Sequence, residues 1–249
     1  MEKQLNIWEI ALPYPRNVQD IMSMENLRIM VFLPFFLLIL AVIYQYSGFD
    51  LWWESHFYDF QNHVWPYRHH WFFEGVIHTG GQWLDRLMVL IWLIILILSY
   101  FQQSFTKYRK SLFCFLCATA AGPLLVGIGK QLTHISTAWD LQMFDGKEPH
   151  IRLFDPVPAG APIGHAFPAG HASGAYCFFS FYFIMLHFRS PYRFFWLFFS
   201  ICLGLVFGLG QQIRGAHLPS HDIFTLVICW YGAMAVYLLF YPKEWRRLK

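Results

Sequence analysis

Six long apolar runs dominate this sequence, and they constrain what the chain can fold into more than any other feature does. An α-helix needs about 20 mostly apolar residues to cross the hydrocarbon core of a bilayer, and runs that approach this length favour transmembrane helices. We therefore predict an all-α membrane protein, built as a bundle of six transmembrane helices. The runs comprise residues 27–46, 87–101, 111–129, 168–187, 194–210 and 223–241.

The composition agrees with that prediction. Of the 249 residues, 57% are hydrophobic and 20% are aromatic, whereas 13% are charged; the charged share is about half of that in a typical soluble domain. A chain of this length suits one bundle and not two domains. The net charge of +3 is small, and the basic residues lie in separate short clusters. Nucleic-acid binding needs a continuous basic face, so we expect no nucleic-acid partner.

Two segments between the runs have a different character. Residues 47–85 are rich in tryptophan and histidine, which is typical of the membrane–water interface, and we expect interfacial helices there that end in a turn at Gly80 and Gly81. Residues 131–166 form a long outer loop between spans three and four, and a loop of this length is usually functional or disordered. The chain thus divides into an N-terminal tail (1–26), a transmembrane domain (27–241) and a basic C-terminal tail (242–249).

Lysine and arginine are unevenly distributed among the connecting segments. If the N-terminus is inside, the inner segments carry 12 of the 18 basic residues, and cytoplasmic segments of membrane proteins show the same excess. We therefore predict a multi-pass protein of the cell (inner) membrane with both termini in the cytoplasm. The loop between spans three and four then faces the periplasm or the exterior.

Two short stretches place a histidine at the edge of an apolar run. The first, Phe-Pro-Ala-Gly-His-Ala-Ser, contains His171, and the second, Arg-Gly-Ala-His-Leu-Pro-Ser-His-Asp, contains Arg214 and His217. Lys130 lies at the end of the third run. In the predicted orientation all four residues lie at the outer ends of spans, so we expect them to share one site.

This set of residues suits chemistry on a phosphate ester. Such a reaction needs positive charge on the phosphoryl oxygens, an in-line nucleophile and a proton for the leaving group. Arg214 offers a planar fork of donors and Lys130 offers a point charge. Backbone amides around Gly170 lie near a helix start, where anions bind favourably. The sequence has no metal-ligand spacing such as His-Glu-x-x-His, so we predict that the site needs neither a metal nor a cofactor.

The two stretches resemble the second and third signature motifs of the type 2 phosphatidic acid phosphatase (PAP2) superfamily, which read Pro-Ser-Gly-His and Ser-Arg-x5-His-x3-Asp. Lys130 takes the place of the lysine that opens the family's first motif, Lys-x6-Arg-Pro. The resemblance extends over roughly residues 85–240. It implies that His217 is the nucleophile, which forms a phosphohistidine, and that His171 protonates the leaving oxygen.

The second and third motifs differ from the family pattern at several positions. Ala169 replaces the serine of the second motif, and Gln211 replaces the arginine of the third, so Arg214 is the nearest arginine. If the helix continues, Gln211 and Arg214 share one face, and His217 follows Arg214 by one helical turn. The position of the third-motif aspartate holds His221, and Asp222 follows it. These two side chains point about 100° apart in a regular helix, and either is a candidate for orienting His217.

The first motif differs most from the family. Thr137 and Ala138 stand where the family has Arg-Pro, and Arg152 is the only arginine in the loop. We therefore interpret Arg152 as a candidate replacement for the missing arginine. The phosphate-binding residues that we predict are Lys130, Ala169, Gly170 and Arg214.

The resemblance implies an integral-membrane phosphatase that acts on a lipid phosphate or pyrophosphate in the outer half of the membrane. Candidate substrates are undecaprenyl pyrophosphate, the lipid A 1-phosphate, phosphatidylglycerol phosphate and phosphatidic acid, and the other partners are membrane lipids. One alternative is a lipid-to-lipid phosphotransferase that uses the same histidines. A second is a non-catalytic lipid-binding or transport protein. A haem protein is disfavoured because the interiors of the spans lack histidine.

Overall fold

The computed structural model describes residues 28–242. Within that range the chain is helical and contains no β-strand, which confirms the all-α prediction. The predicted N-terminal tail at 1–26 lies outside the described residues, as does the C-terminal tail at 242–249 except for its first residue.

The described residues form α-helices of very different lengths. They are α1 (Leu33–Tyr46), α2 (Phe49–Glu54), α3 (Gly81–Phe101), α4 (Arg109–Leu132), α5 (Gly170–Tyr176), α6 (Phe179–His187), α7 (Arg193–Ile213) and α8 (Pro219–Phe240). The π-helical segments Arg28–Phe32 and Trp71–Gly80 lead directly into α1 and α3, and the 3₁₀ segment Gln103–Tyr108 leads into α4. Two short 3₁₀ helices, Ala138–Asp140 and Gln142–Phe144, lie between α4 and α5.

Five helical stretches are long and apolar enough to cross a membrane. Each contains one of the predicted apolar runs almost entirely, because an uninterrupted apolar run is itself the feature that a membrane span requires. The five stretches are Arg28–Tyr46, Trp71–Phe101, Gln103–Leu132, Arg193–Ile213 and Pro219–Phe240.

The remaining predicted run, 168–187, forms the centre of the bundle as two consecutive short helices. α5 and α6 are separated where the Phe178 amide donates to the Ala175 carbonyl (3.2 Å), three residues back instead of four. Most side chains of both helices are buried. Their aromatic rings pack against Trp230 and Tyr237 of α8. The large rings fill the middle of the bundle and place the start of α5 at one end of it.

Helices α4 and α8 approach each other closely at a glycine. A Cβ atom built on Gly122 would lie 2.6 Å from Sγ of Cys229, so only glycine permits this separation. Small residues allow close approach of this kind between membrane helices. The packing brings Lys130, at the end of α4, near His217, which precedes α8.

The predicted turn at Gly80 and Gly81 is wrong. The chain passes from the π-helical segment into α3 at these residues without a turn. The glycine at position 81 serves packing instead, because a Cβ atom there would lie 2.7 Å from Cζ of Phe207 on α7. The helix that was expected to begin near residue 87 therefore starts earlier, and its first turns lie against α7.

Helix α2 is attached to the first turn of α8 through the side chain of Asp50. Asp50 accepts hydrogen bonds from the amide of Ser220 (3.0 Å) and from its hydroxyl group (2.5 Å). The first amides of a helix have no partner within the helix, and a carboxylate there satisfies one of them and interacts favourably with the helix dipole. Asp50 thereby holds α2 against the residues that follow His217.

Candidate functional site

Lys130 lies in the last turn of α4 and reaches the first residue of α5. A Cβ atom built on Gly170 would lie 2.9 Å from both Cε and Nζ of Lys130. That separation is shorter than van der Waals contact, so a side chain at position 170 would displace the lysine. Ala169, the N-cap residue of α5, is fully buried beside it. The ammonium group therefore lies next to Gly170, one of the residues predicted to bind phosphate.

His171 follows directly in the first turn of α5 and is held by three neighbours. Its Nε2 donates a hydrogen bond to the carbonyl oxygen of Ile77 (3.1 Å). Its ring stacks on Phe207, with centroids 4.7 Å apart and planes 20° apart. The ring of His78 lies 4.8 Å away at an angle of 51°. Since Nε2 is committed to a carbonyl, Nδ1 is the nitrogen of His171 that remains for exchange of a proton.

His217 lies between α7 and α8 and is nearly buried, with 6% of its surface exposed. Among the described residues its Nδ1 has no hydrogen-bond partner. Burial is the main cause that lowers the pKa of His217 well below its ordinary value, and the nearby Lys130, His221 and His171 lower it further. The imidazole is therefore neutral at pH 7, the form in which a nitrogen lone pair is available for attack.

The two candidates for orienting His217 lie in different surroundings. The ring centroid of His221 is 6.0 Å from that of His217. Asp222 instead accepts a hydrogen bond from the side-chain amide of Gln212, whose oxygen accepts from Nε1 of Trp53 (2.8 Å). Of the two, His221 is thus the neighbour of the predicted nucleophile, while Asp222 belongs to a separate network.

The chain turns sharply between Arg214 and His217. Helix α7 ends at Ile213, so the condition of one helix that continues through these residues is not met. Gly215 adopts the left-handed conformation (φ +79°), and a Cβ atom there would lie 2.6 Å from the ring of Trp65. Both observations require glycine. The turn replaces the helical geometry that would have set the spacing between the arginine and the histidine.

Arg214 is held by protein groups on three sides. Its Nε donates to the carbonyl oxygen of Arg68 (2.8 Å), Nη1 to Oε1 of Gln211 (3.1 Å) and Nη2 to Oε1 of Glu74 (2.9 Å). These bonds use three of the five N–H donors of a guanidinium. Burial is the main cause that lowers the pKa of Arg214, and the Glu74 carboxylate opposes that effect. Gln211 and Arg214 therefore meet despite the end of the helix, but the arginine already has an anionic partner.

Three residues of the segment Trp71–Gly80 contact the predicted site, and the sequence analysis did not identify them. Glu74 pairs with Arg214, the carbonyl oxygen of Ile77 binds His171, and His78 contacts the same ring. None of them belongs to a recognisable motif. The only available signal was that this stretch precedes an apolar run, which allows the helix to extend backwards from it.

Arg152, the candidate replacement for the first-motif arginine, has one partner in its own loop and one at the end of α1. Its Nε lies 2.8 Å from Oδ2 of Asp155, and its guanidinium lies over the ring of Tyr46 at 4.3 Å. Thr137 donates to Asp140, and Ala138 is fully buried. The residues at the first-motif positions thus stabilise the loop.

Buried carboxyl groups form a second feature that the sequence analysis missed. Asp50 and Glu54 of α2 are 0% exposed, and Asp222 is 5% exposed. In the described part of the chain neither carboxyl oxygen of Glu54 has a hydrogen-bond partner. Burial raises the pKa of Asp50 to about 6, and burial together with the nearby Asp50 and Asp222 raises the pKa of Glu54 well above its ordinary value. These acids therefore hold their protons at a higher pH than exposed carboxyl groups do.

The acids, histidines and cysteines of residues 28–242 do not come together in a group of three or more with the arrangement of a metal site. Lys130 and Arg214 carry positive charge at this end of the bundle. Lys130 is the one that lies close to both His171 and His217.

Fold and site together define a class, a helical protein with candidate membrane spans and a cluster of histidine and lysine at one end of the bundle. Comparison with protein-family models, with curated proteins and with solved structures finds no match to this chain. The resemblance to the PAP2 superfamily therefore rests on the motif residues themselves and on how they are arranged.

Proposed function

We propose that this protein is an integral-membrane phosphatase of the PAP2 type, which hydrolyses a lipid phosphate or diphosphate through a phosphohistidine. The observation that carries the proposal is the proximity of Lys130 and His171 to a buried, neutral His217 whose Nδ1 is uncommitted among the described residues. A buried imidazole nitrogen without a hydrogen-bond partner is costly unless it serves a purpose, and nucleophilic attack is such a purpose.

Each residue has a defined part in the proposed reaction. Lys130 binds the non-bridging oxygens, and a lone pair of His217 attacks phosphorus while the bond to the lipid oxygen breaks. His171, doubly protonated in the complex with the substrate, gives its Nδ1 proton to that oxygen as it departs. Water then attacks the phosphohistidine, His171 takes a proton from the water, and the products are the lipid alcohol and free phosphate.

Exposed apolar side chains near Lys130 support a lipid-linked substrate. On α4, Ile128 is 57% exposed and Leu132 is 73% exposed, so both flank the lysine with apolar surface. Trp71, at the start of the segment that contacts His171, is 70% exposed. A phosphate at the lysine would therefore have its hydrocarbon chain against apolar side chains and not in water.

The proposal includes a sixth span and an outer site. Helices α5 and α6 cover residues 170–187, which reach about 27 Å at a rise of ~1.5 Å per residue, close to the ~30 Å thickness of the hydrocarbon core. Six crossings return the chain to its starting side, in agreement with the basic residues near both termini. The site then faces the periplasm or the exterior of the inner membrane.

One observation favours a second candidate, a non-catalytic lipid-binding or transport protein. Arg214, the only arginine of the third-motif stretch, is neutralised by Glu74 at 2.9 Å. A phosphate that approaches this guanidinium must compete with a carboxylate that is already bound. A protein that only binds a lipid headgroup does not require an unpaired arginine at this position.

Phosphate release by the purified protein in detergent tests the proposal. The substrates are undecaprenyl pyrophosphate, the lipid A 1-phosphate, phosphatidylglycerol phosphate and phosphatidic acid, each with EDTA present. Release from at least one lipid supports a phosphatase, and transfer of labelled phosphate to a second added lipid identifies a phosphotransferase. Binding without release or transfer contradicts the proposal and supports the non-catalytic candidate.

A further inference from the structure

The segment Trp71–Gly80 forms a wall of the site that none of the three motifs includes. Its inner contacts are made by Glu74, Ile77 and His78, whereas Trp71 and Val76 are 70% and 51% exposed. The segment therefore has one face directed to the site and one directed away from it. Its inner face contacts the residue that the proposed reaction uses as an acid.

The hydrogen bond between His171 and Ile77 determines which nitrogen can act. A carbonyl oxygen only accepts, so Nε2 of His171 carries a proton, and Nδ1 is the nitrogen that passes a second proton to the leaving group when the ring is doubly protonated. One hydrogen bond does not fix the plane of a ring, because the imidazole can still tilt about it. The direction of Nδ1 therefore depends on what lies against the ring.

Two rings lie against His171, and they belong to different helices. Phe207 of α7 stacks on it at 4.7 Å, and His78 contacts it at 4.8 Å with a tilt of 51°. His78 is itself held by the side chain of Gln82, whose nitrogen lies 3.3 Å from Nε2 of His78. An amide nitrogen donates, so Nε2 of His78 accepts. Gln82, one helical turn further along the chain, thereby fixes the orientation of the His78 ring.

We infer that His78 is a positioning residue for His171, which it holds by ring contact so that Nδ1 of His171 faces the leaving oxygen. The inference rests on the proposed phosphatase function and adds to it a residue outside the three motifs. Because the contact between rings is what holds His171, a phenylalanine at position 78 should perform the same function as the histidine. An alanine there would leave the His171 ring free to tilt.

The test compares two variants on two substrates in detergent. Phosphatidic acid has an alkoxide leaving group, which needs a proton, while p-nitrophenyl phosphate has a good leaving group, which needs little proton assistance. His78→Ala should lower kcat for phosphatidic acid about tenfold or more and leave kcat for p-nitrophenyl phosphate nearly unchanged, since general acid catalysis contributes ~10²–10⁴-fold. His78→Phe should retain most of the activity on both.

Each other result has a distinct meaning. Equal losses of kcat on the two substrates would show that His78 only maintains the fold, and activity in His78→Phe as low as in His78→Ala would show that a nitrogen and not ring contact is needed. Unchanged activity in His78→Ala would refute the inference and leave the phosphatase proposal intact. No turnover of p-nitrophenyl phosphate or of any of the four lipids by the wild-type protein would refute the phosphatase proposal, and the inference with it.

Discussion

Replacement of Gly170 by alanine perturbs Lys130 without removing a functional group. The added Cβ atom would lie 2.9 Å from both Cε and Nζ of the lysine. Carbon atoms in contact are about 3.5–4.0 Å apart. The end of the lysine side chain is flexible, so it moves by about 1 Å while the backbone of α5 stays in place.

Coulomb's law gives the size of the effect. At an effective dielectric constant of ~20, two unit charges attract by about 6 kcal/mol at ~2.8 Å and by about 4.4 kcal/mol at ~3.8 Å. A shift of the ammonium by about 1 Å thus weakens its hold on a phosphoryl oxygen by ~1.5 kcal/mol. If Lys130 stabilises the transition state, Gly170→Ala lowers kcat/KM about tenfold.

Phosphate release measures this loss, and two controls isolate its cause. Gly127→Ala is the matched control, because a Cβ atom there meets nothing within 4 Å and the residue lies on the same helix as Lys130. It should leave kcat/KM unchanged. In a Lys130→Ala background Gly170→Ala should have no further effect. A tenfold loss that persists without the lysine would refute the reasoning, because it would then come from the backbone of α5.

Three further predictions concern stability, metal and orientation. Burial raises the folded-state pKa of Asp50 to about 6 and that of Glu54 well above its ordinary value. The stabilisation by protonated Asp50, on the order of 2–3 kcal/mol, is therefore fully present below pH ~4 and is lost as the pH rises through about 6, and protonated Glu54 acts in the same direction. The Tm in detergent should fall over that range, and less so in Asp50→Asn with Glu54→Gln. A Tm that does not vary between pH 4 and 7 contradicts the burial of these acids. Activity should persist in excess EDTA and be inhibited by orthovanadate, whose adduct resembles the in-line transition state; loss that Mg²⁺ or Zn²⁺ restores would overturn the metal-free mechanism. Lys147→Cys should react with a membrane-impermeant thiol reagent in intact cells, and reaction only after permeabilisation would reverse the orientation.

The sequence predicts the five long apolar helices well, because a long apolar run favours such a helix directly. The bounds of the five long helices differ from the predicted runs mainly where polar or aromatic residues extend a helix beyond its apolar part, as in Trp71–Gly80. The run 168–187 could not be distinguished from an ordinary span, because the break between α5 and α6 arises from local hydrogen bonding within an apolar stretch.

The candidate site is predictable only as far as its motifs extend. Lys130, His171 and His217 were proposed from residue type and position, and they do come together. Glu74 and His78 could not be found, because their role depends on how one helix packs against two others. The burial of Glu54 was equally hidden, since an acid in a short polar stretch is ordinarily exposed.

The central claim is that His217 forms a covalent bond to phosphorus, and trapping that bond tests it most directly. The protein is mixed with a ³²P-labelled lipid phosphate and quenched in alkali, where a phosphohistidine survives. We expect a labelled peptide that contains His217, and no label in His217→Ala, whose turnover falls on the order of 10³-fold or more. The matched control is His165→Asn, an exposed histidine with a positive φ of 54° that asparagine tolerates, and it should label normally. Turnover near the wild-type rate in a well-folded His217→Ala protein would contradict the account.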